Sequence, residues 1–179
     1  MPVTVVAYRA GEAAALPAPV YLDANFLASW HLSDHAKHLA AGDAARELLA
    51  SDKAVVISLL TVDEVWWTLL RHWYYVDNGR QLNAKRLKRD PTIVQRYACR
   101  FRGFTSALQR WPGARLVGSL DAGTAVTHAL ARLTTEALAP RDAFHLALIE
   151  EAGARSLVTS DSDFDSLTLP DYALTVLKF

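Results

Sequence analysis

One cysteine, Cys99, stands in 179 residues. That excludes an intramolecular disulfide and a cysteine-built zinc framework, and it suits a reducing cytosol. The N-terminus lacks a cationic stretch followed by a long apolar core, so no signal peptide is expected. No uninterrupted apolar run reaches the roughly 18 residues a membrane-spanning helix needs. A soluble, cytoplasmic protein with no membrane partner is therefore expected. Net charge is missing as well: Lys plus Arg and Asp plus Glu each total 19, so their sum says nothing about partners. There is no internal repeat and no low-complexity tract. Apolar residues, by contrast, make up 51% of the chain, which is enough for a real core and argues against global disorder. The length suits one domain with room for an insert.

The charge that is present is unevenly distributed. Eleven basic residues and only two acids, Asp77 and Asp90, fall between Arg71 and Arg115, which leaves 8 basic and 17 acidic residues elsewhere. An acidic body with a basic middle is an asymmetry that needs a physical reason.

Apolar runs and turn signals predict strands over 3–9, 20–23, 53–58, 115–117, 155–159 and 172–178. Helices are predicted from Asn25, over 35–49, from Thr61, and over 92–111, 121–133 and 141–152. Residues 10–19 read as a loose segment, and 79–91 as a polar, basic break. Ser58 or Thr61 caps the long helix, Asp121 caps a later one, and Gly153 closes the helix before it. Strands alternating with helices argue for an α/β fold with a mainly parallel central sheet. Ligands in such folds sit at the carboxyl ends of strands, and Asp23 and Asp161 both follow apolar strands.

Four acids share this kind of position: Asp23, Glu64 in a first helical turn, Asp142 at a helix start, and Asp161. Each has a structural alternative. Asp142 can answer a helix dipole, Glu64 can complete a capping box with Thr61, and Asp161 can cap a turn. Together they are costly, because converging carboxylates repel and burial raises the penalty. A divalent cation resolves that conflict. Oxygen-only ligands suit Mg²⁺ or Mn²⁺ rather than zinc.

The segments VYLDANFL, ISLLTVDEV and LAPRDAFHLALIEEAGARSLVTSDSDF resemble the successive motifs of PIN-domain ribonucleases, especially VapC-type toxins. The resemblance covers about 20–65 and 133–179 and omits the middle. It implies a PIN-like, Rossmann-type three-layer α/β/α sandwich over residues 1–179, with 1–18 as an N-terminal extension and 71–115 as a basic, mostly helical elaboration. It implies a metal-dependent endoribonuclease in which Asp23, Glu64, Asp142 and Asp161 hold one or two Mg²⁺ or Mn²⁺ ions, with a 5′-phosphate and a 3′-hydroxyl as products. RNA as the substrate, a toxin role, a small antitoxin partner and a homodimer also come from the resemblance alone. The longer middle and the N-terminal addition depart from the compact toxins and put the last three in question.

Around the acids, Asn25, Ser160 and Asp163 are candidates to support the site. Asn25 orients Asp23 or a metal water, or else caps a helix. Ser160 meets phosphate or shapes a turn. Asp163 joins through water, whereas Asp165 and Asp63 read as solvated. His145, one turn after Asp142, reads first as a packed, hydrogen-bonded histidine, with substrate contact as the alternative. His31, Asp34, His35 and His38 have helical spacing that can bind zinc or nickel, but they also fit a polar helix junction.

In the basic middle, Arg86, Lys88 and Arg89 form the densest cluster and are candidates for RNA contact, with interleaved aromatics to stack on bases. The alternative is a solvated helical hairpin. Two rival functions complete the reading. One is a catalytically silent PIN-like module that binds RNA or protein. The other is a phosphatase of the haloacid dehalogenase type, which expects an acid where Asn25 stands.

Overall fold

The computed structural model describes residues 2–119 and 121–179. Its strands are β1 (Thr4–Ala7), β2 (Val20–Leu22), β3 (Val55–Ser58), β4 (Ala114–Val117), β5 (Ser156–Thr159) and β6 (Thr175–Lys178). They form one sheet in the order β1-β6-β5-β2-β3-β4. Every strand pairing is parallel, so the expected mainly parallel sheet is wholly so among the described residues. β2, β3 and β5 are buried along their whole length, which is why they read as continuous apolar runs rather than alternating ones.

The helices are α1 (Glu12–Ala15), α2 (Ala24–His31), α3 (His38–Ala50), α4 (Leu59–Asn78), α5 (Ala84–Arg89), α6 (Thr92–Arg96), α7 (Ala98–Gln109), α8 (Ala122–Thr135) and α9 (Pro140–Glu151). Strand side chains alternate between the two faces of the sheet. Val20, Leu22, Val55, Ile57 and Val158 pack with Phe26 and Leu27 of α2, Leu48 of α3, Leu69 of α4 and Phe104 of α7. Tyr21, Val56, Leu157 and Val176 pack on the other face with Ala129 of α8 and Leu146 and Ile149 of α9. The result is the α/β/α sandwich.

Three local departures from the sequence reading have identifiable causes. The loose segment 10–19 contains α1, whose start is held by Glu47 of α3: its carboxylate accepts the N–H of Gly11 at 2.8 Å and of Ala13 at 3.0 Å. The basic break contains α5, capped by Asn83, whose side chain accepts the Arg86 N–H. The helix predicted over 92–111 is two helices. It breaks at Tyr97 (φ −100°, ψ 3°), whose ring is buried and stacked on Trp73 at 6.1 Å.

Candidate active site

The chain runs from β2 outward to β3 and β4, then returns to β5 on the other side of β2. The sheet's topological switch point therefore lies between β2 and β5, whose register pairs Leu22 with Val158. Asp23 leaves β2 and Asp161 follows β5 at this crevice, which is where open parallel sheets bind ligands. A cavity of about 690 Å³ opens there, lined by Asp23, Asn25, Glu64, Asp142, Ser160 and Asp161, with Arg141 and His145.

Asp23 is the N-cap of α2, so the cap is not Asn25, the alternative considered for that residue. One carboxylate oxygen of Asp23 accepts the Ala24 N–H at 2.7 Å, and the other accepts the Thr159 hydroxyl at 2.7 Å. Only 8% of the residue is exposed. Burial, reinforced by the Glu64 charge, pushes its carboxyl pKa up, against the pull of His145 and the two hydrogen bonds. Asp142, in the first turn of α9, is also pushed up, by partial burial and then by the charges of Asp163 and Asp161. These carboxyls sense one another's charge, as acids sharing a single site do.

Glu64 is the sixth residue of α4, in its second turn rather than its first. Its capping alternative does not occur: Ser58 caps α4 by accepting the Thr61 N–H at 3.0 Å. The Glu64 carboxylate instead lies 2.8 Å from His145 Nε2 and 3.3 Å from the Arg141 guanidinium. Desolvation pushes Glu64 up, but the His145 and Arg141 contacts outweigh it and hold its pKa below the ordinary value.

His145 is buried, as its packed reading anticipates, and it also reaches the site. Its Nδ1 lies 2.8 Å from the Tyr21 hydroxyl, which is 2.6 Å from Ser58 Oγ and 3.1 Å from Thr61 Oγ1. Because Nε2–H donates to Glu64, a neutral ring accepts the Tyr21 proton at Nδ1. A charged ring donates from both nitrogens, and Tyr21 then donates to Ser58. Both ring nitrogens are thus engaged in either state. Ligand atoms of Asp23, Glu64 and His145 lie within 4.8 Å of one another, yet this bonding makes His145 the residue that orients Glu64 rather than a ligand.

Thr159 is the residue the sequence reading missed. Its hydroxyl donates to Asp23, accepts from Asn25 Nδ2 at 2.9 Å and accepts from the Asp161 N–H at 2.9 Å. Asn25 Oδ1 in turn accepts the Ser160 N–H at 3.0 Å. One hydroxyl therefore joins the ends of β2 and β5. A threonine two residues before an acid, at the end of an apolar strand, was the only available signal. Asp161 Oδ1 accepts the Asp163 N–H at 3.1 Å, closing a turn. Asp163 does not line the cavity, Asp165 pairs with Lys178 at 3.0 Å, and Asp63 is exposed.

The lining suits a hard divalent ion: Asp23 and Glu64 bring carboxylate oxygens within 4.8 Å of each other, and Asp142 and Asp161 line the same cavity outside that close group. The carboxyl pKa values of Asp23 and Asp142 are raised by burial first and by neighbouring carboxylates second, a cost an ion would relieve. The rival histidine set does not assemble. His31 ends α2 and packs edge-on to Phe104 at 5.0 Å, Asp34 pairs with His72, and His38 meets the Ser29 carbonyl.

A family model described as "PIN domain" matches residues 20–168. Among solved structures, the chain resembles Mycobacterium tuberculosis VapC20, a sarcin-ricin loop cleaving toxin, with a TM-score of 0.51 and 19% identity over 81% of this chain and 92% of that one. Comparison with curated proteins finds no match. At that identity the VapC20 likeness speaks for the fold alone. Among the described residues, no helix is long and apolar enough to cross a membrane. With the matched segment spanning the whole carboxylate site and most of the sheet, the chain belongs to the PIN-domain family.

Proposed function

We propose that the protein is a Mg²⁺- or Mn²⁺-dependent endoribonuclease. The observation that carries this reading is the convergence of Asp23, Glu64, Asp142 and Asp161 on one cavity at the switch point of the sheet. When bound, the ion would polarise a phosphodiester oxygen and lower the pKa of a water. Asp23, Asp142 and Asp161 would hold it, and Glu64 would serve as ligand or water-positioning acid. His145 and Tyr21 keep Glu64 in place from the buried side, while Arg141 offsets the acidity of the rim that a polyanion must approach. Asn25 supports the metal site through Thr159, and Ser160 lies beside it for phosphate contact. Asp163 would act through water.

Arg86, Lys88 and Arg89 of α5 would contact the RNA away from the reacting bond. The resemblance of the motifs around Asp23, Glu64, Asp142 and Asp161 to those of VapC-type toxins extends the proposal to a toxin role, checked by growth arrest on expression in cells and relief of the arrest by Asp23→Asn. For the nuclease itself, purified Asp23→Asn is expected to keep the fold and lose cleavage of RNA in Mn²⁺. Full activity in that variant, with contaminating nuclease excluded, would overturn the site assignment, and a wild type that cleaves no RNA in Mn²⁺ would favour a silent binding module.

A further inference from the structure

A second cavity, of about 620 Å³, lies at the far end of α4. Gly79, left-handed at φ 65°, ends α4 and turns the chain back, so that Arg80 and α5 lie over Tyr74. Five cations line the cavity: Arg80, Lys85, Arg86, Arg89 and Arg96. Its one acid, Asp90, is already bonded to Arg96 at 2.7 Å and to the Thr92 N–H at 3.2 Å. Among the described residues, no carboxylate lies within ion-pair distance of Arg80, Lys85, Arg86 or Arg89. Arg86 instead donates to the Tyr74 phenol at 3.1 Å. That phenol is pulled below its usual pKa: desolvation raises it, but the bonds and charges of Arg80 and Arg86 outweigh that effect. A field this positive, uncompensated by the protein, calls for an anionic partner.

The two cavities are connected along one helix face. Glu64, Thr68, Arg71 and Tyr75 fall within about 60° of one another around α4. Thr68 lines both the carboxylate cavity and a groove formed by Arg71, His72, Tyr75 and Gln81. Gln81 lines both that groove and the cationic cavity. From Glu64 to Asn78 the axial rise is about 21 Å. Tyr75 stands in the groove 50% exposed, so its ring is accessible for stacking.

We propose that single-stranded RNA runs along this face of α4, with successive backbone phosphates held by the cations of this cavity while the strand reaches the carboxylates at the other end. The path rests on the nuclease reading only for what happens at the carboxylate end. An acidic polypeptide would satisfy the charge but not the exposed ring.

The test is fluorescence anisotropy with a labelled single-stranded RNA of about 12 nucleotides, in EDTA, between about 50 and 200 mM salt. Changing Arg80, Lys85 and Arg89 together to alanine should weaken binding at least ~10-fold and flatten the slope of log K against log salt by about 2, at ~0.7 per phosphate contact for single strands. All three side chains are exposed, so the fold should survive, and Arg80→Lys combined with Arg89→Lys should keep the slope. Tyr75→Ala should lower affinity without changing the slope. Arg102→Ala, which removes an exposed charge outside the cavity, should match wild type. An unchanged slope in the triple variant overturns the proposal, as does poly-glutamate binding as tightly as RNA at the same salt. Binding here without any cleavage in Mn²⁺ would refute the nuclease and leave the path standing. Cleavage with an unaltered slope would do the reverse.

Discussion

The two ends of α4 are built in opposite ways. At its N-terminal end, acids from β2, α4, α9 and the β5 turn line one crevice, and Asp23 and Glu64 are fixed by partners far away in sequence. Glu64 and His145 are 81 residues apart, and Thr159 and Asp23 are 136 apart. At its C-terminal end, the cations come from one continuous stretch, 80–96, folded by local caps and a left-handed glycine. Groups that must hold an ion to within a fraction of an ångström need the rigidity of a sheet. Groups that grip a flexible polyanion need only density and exposure. The acidic end is a site of geometry and the basic end a site of field.

Substitutions should separate the two. Glu64→Gln has the largest expected effect, a loss of cleavage of about 10²- to 10³-fold, because it removes charge the ion would meet. Its RNA affinity in EDTA should stay at the wild-type level, which anisotropy and gel-based cleavage assays would read side by side. A rate equal to wild type would remove Glu64 from the chemistry.

Mn²⁺ titrated against thermal stability comes next. At about 100 times its dissociation constant the ion should add ~2.7 kcal/mol, and the gain should vanish in Asp23→Asn while persisting in the basic-end variant. The gain should also grow with pH. Asp23 and Asp142 have carboxyl pKa values raised by burial and neighbouring charge. Without an ion, the folded state therefore loses stability as pH climbs from the unfolded value near ~4 through the raised folded values. An ion that displaces those protons reverses the loss. A shift in melting temperature identical at pH 5 and pH 8 would contradict this account.

Thr159→Val is the smallest change in shape. It should still cost about 10- to 100-fold in ion affinity or cleavage, as losses of groups that orient metal ligands do. It would leave the Asn25 amide and the Asp161 N–H without their acceptor. Comparable ion binding by wild type and Thr159→Val would show that Asp23 needs no orientation from β5.

The same contrast explains what the sequence disclosed. Asp23 and Asp161 were legible because strand ends announce themselves as apolar runs stopped by an acid. The basic middle was legible as composition, although its folding into α5, a cavity and a broken helix was not, because short caps and a buried Tyr97 override a weak periodicity. The role of His145 was hidden for another reason. A histidine on an apolar helix face reads as packed, and it is, but the Tyr21 and Glu64 that fix it lie 124 and 81 residues away. Thr159 was invisible because threonine is simply a good strand residue. Nothing local marks a hydroxyl with all three of its hydrogen-bonding positions in use.

The alternation along β2 has a consequence for how this chain can change length. Val20 and Leu22 fill one layer, Tyr21 reaches into the other toward His145, and Asp23 opens the crevice. One residue inserted or deleted between Val20 and Asp23 would exchange the two faces at once. It would send a tyrosine hydroxyl into the apolar layer and detach Glu64 from its buried support. Between Gly79 and Gln81, by contrast, an added residue lengthens an exposed reversal, with Leu82 beyond it as the next buried anchor. Gains and losses of residues should therefore be tolerated at the basic end of α4 and forbidden at the acidic end, so that the exposed reversal can vary in length while the carboxylate crevice stays fixed.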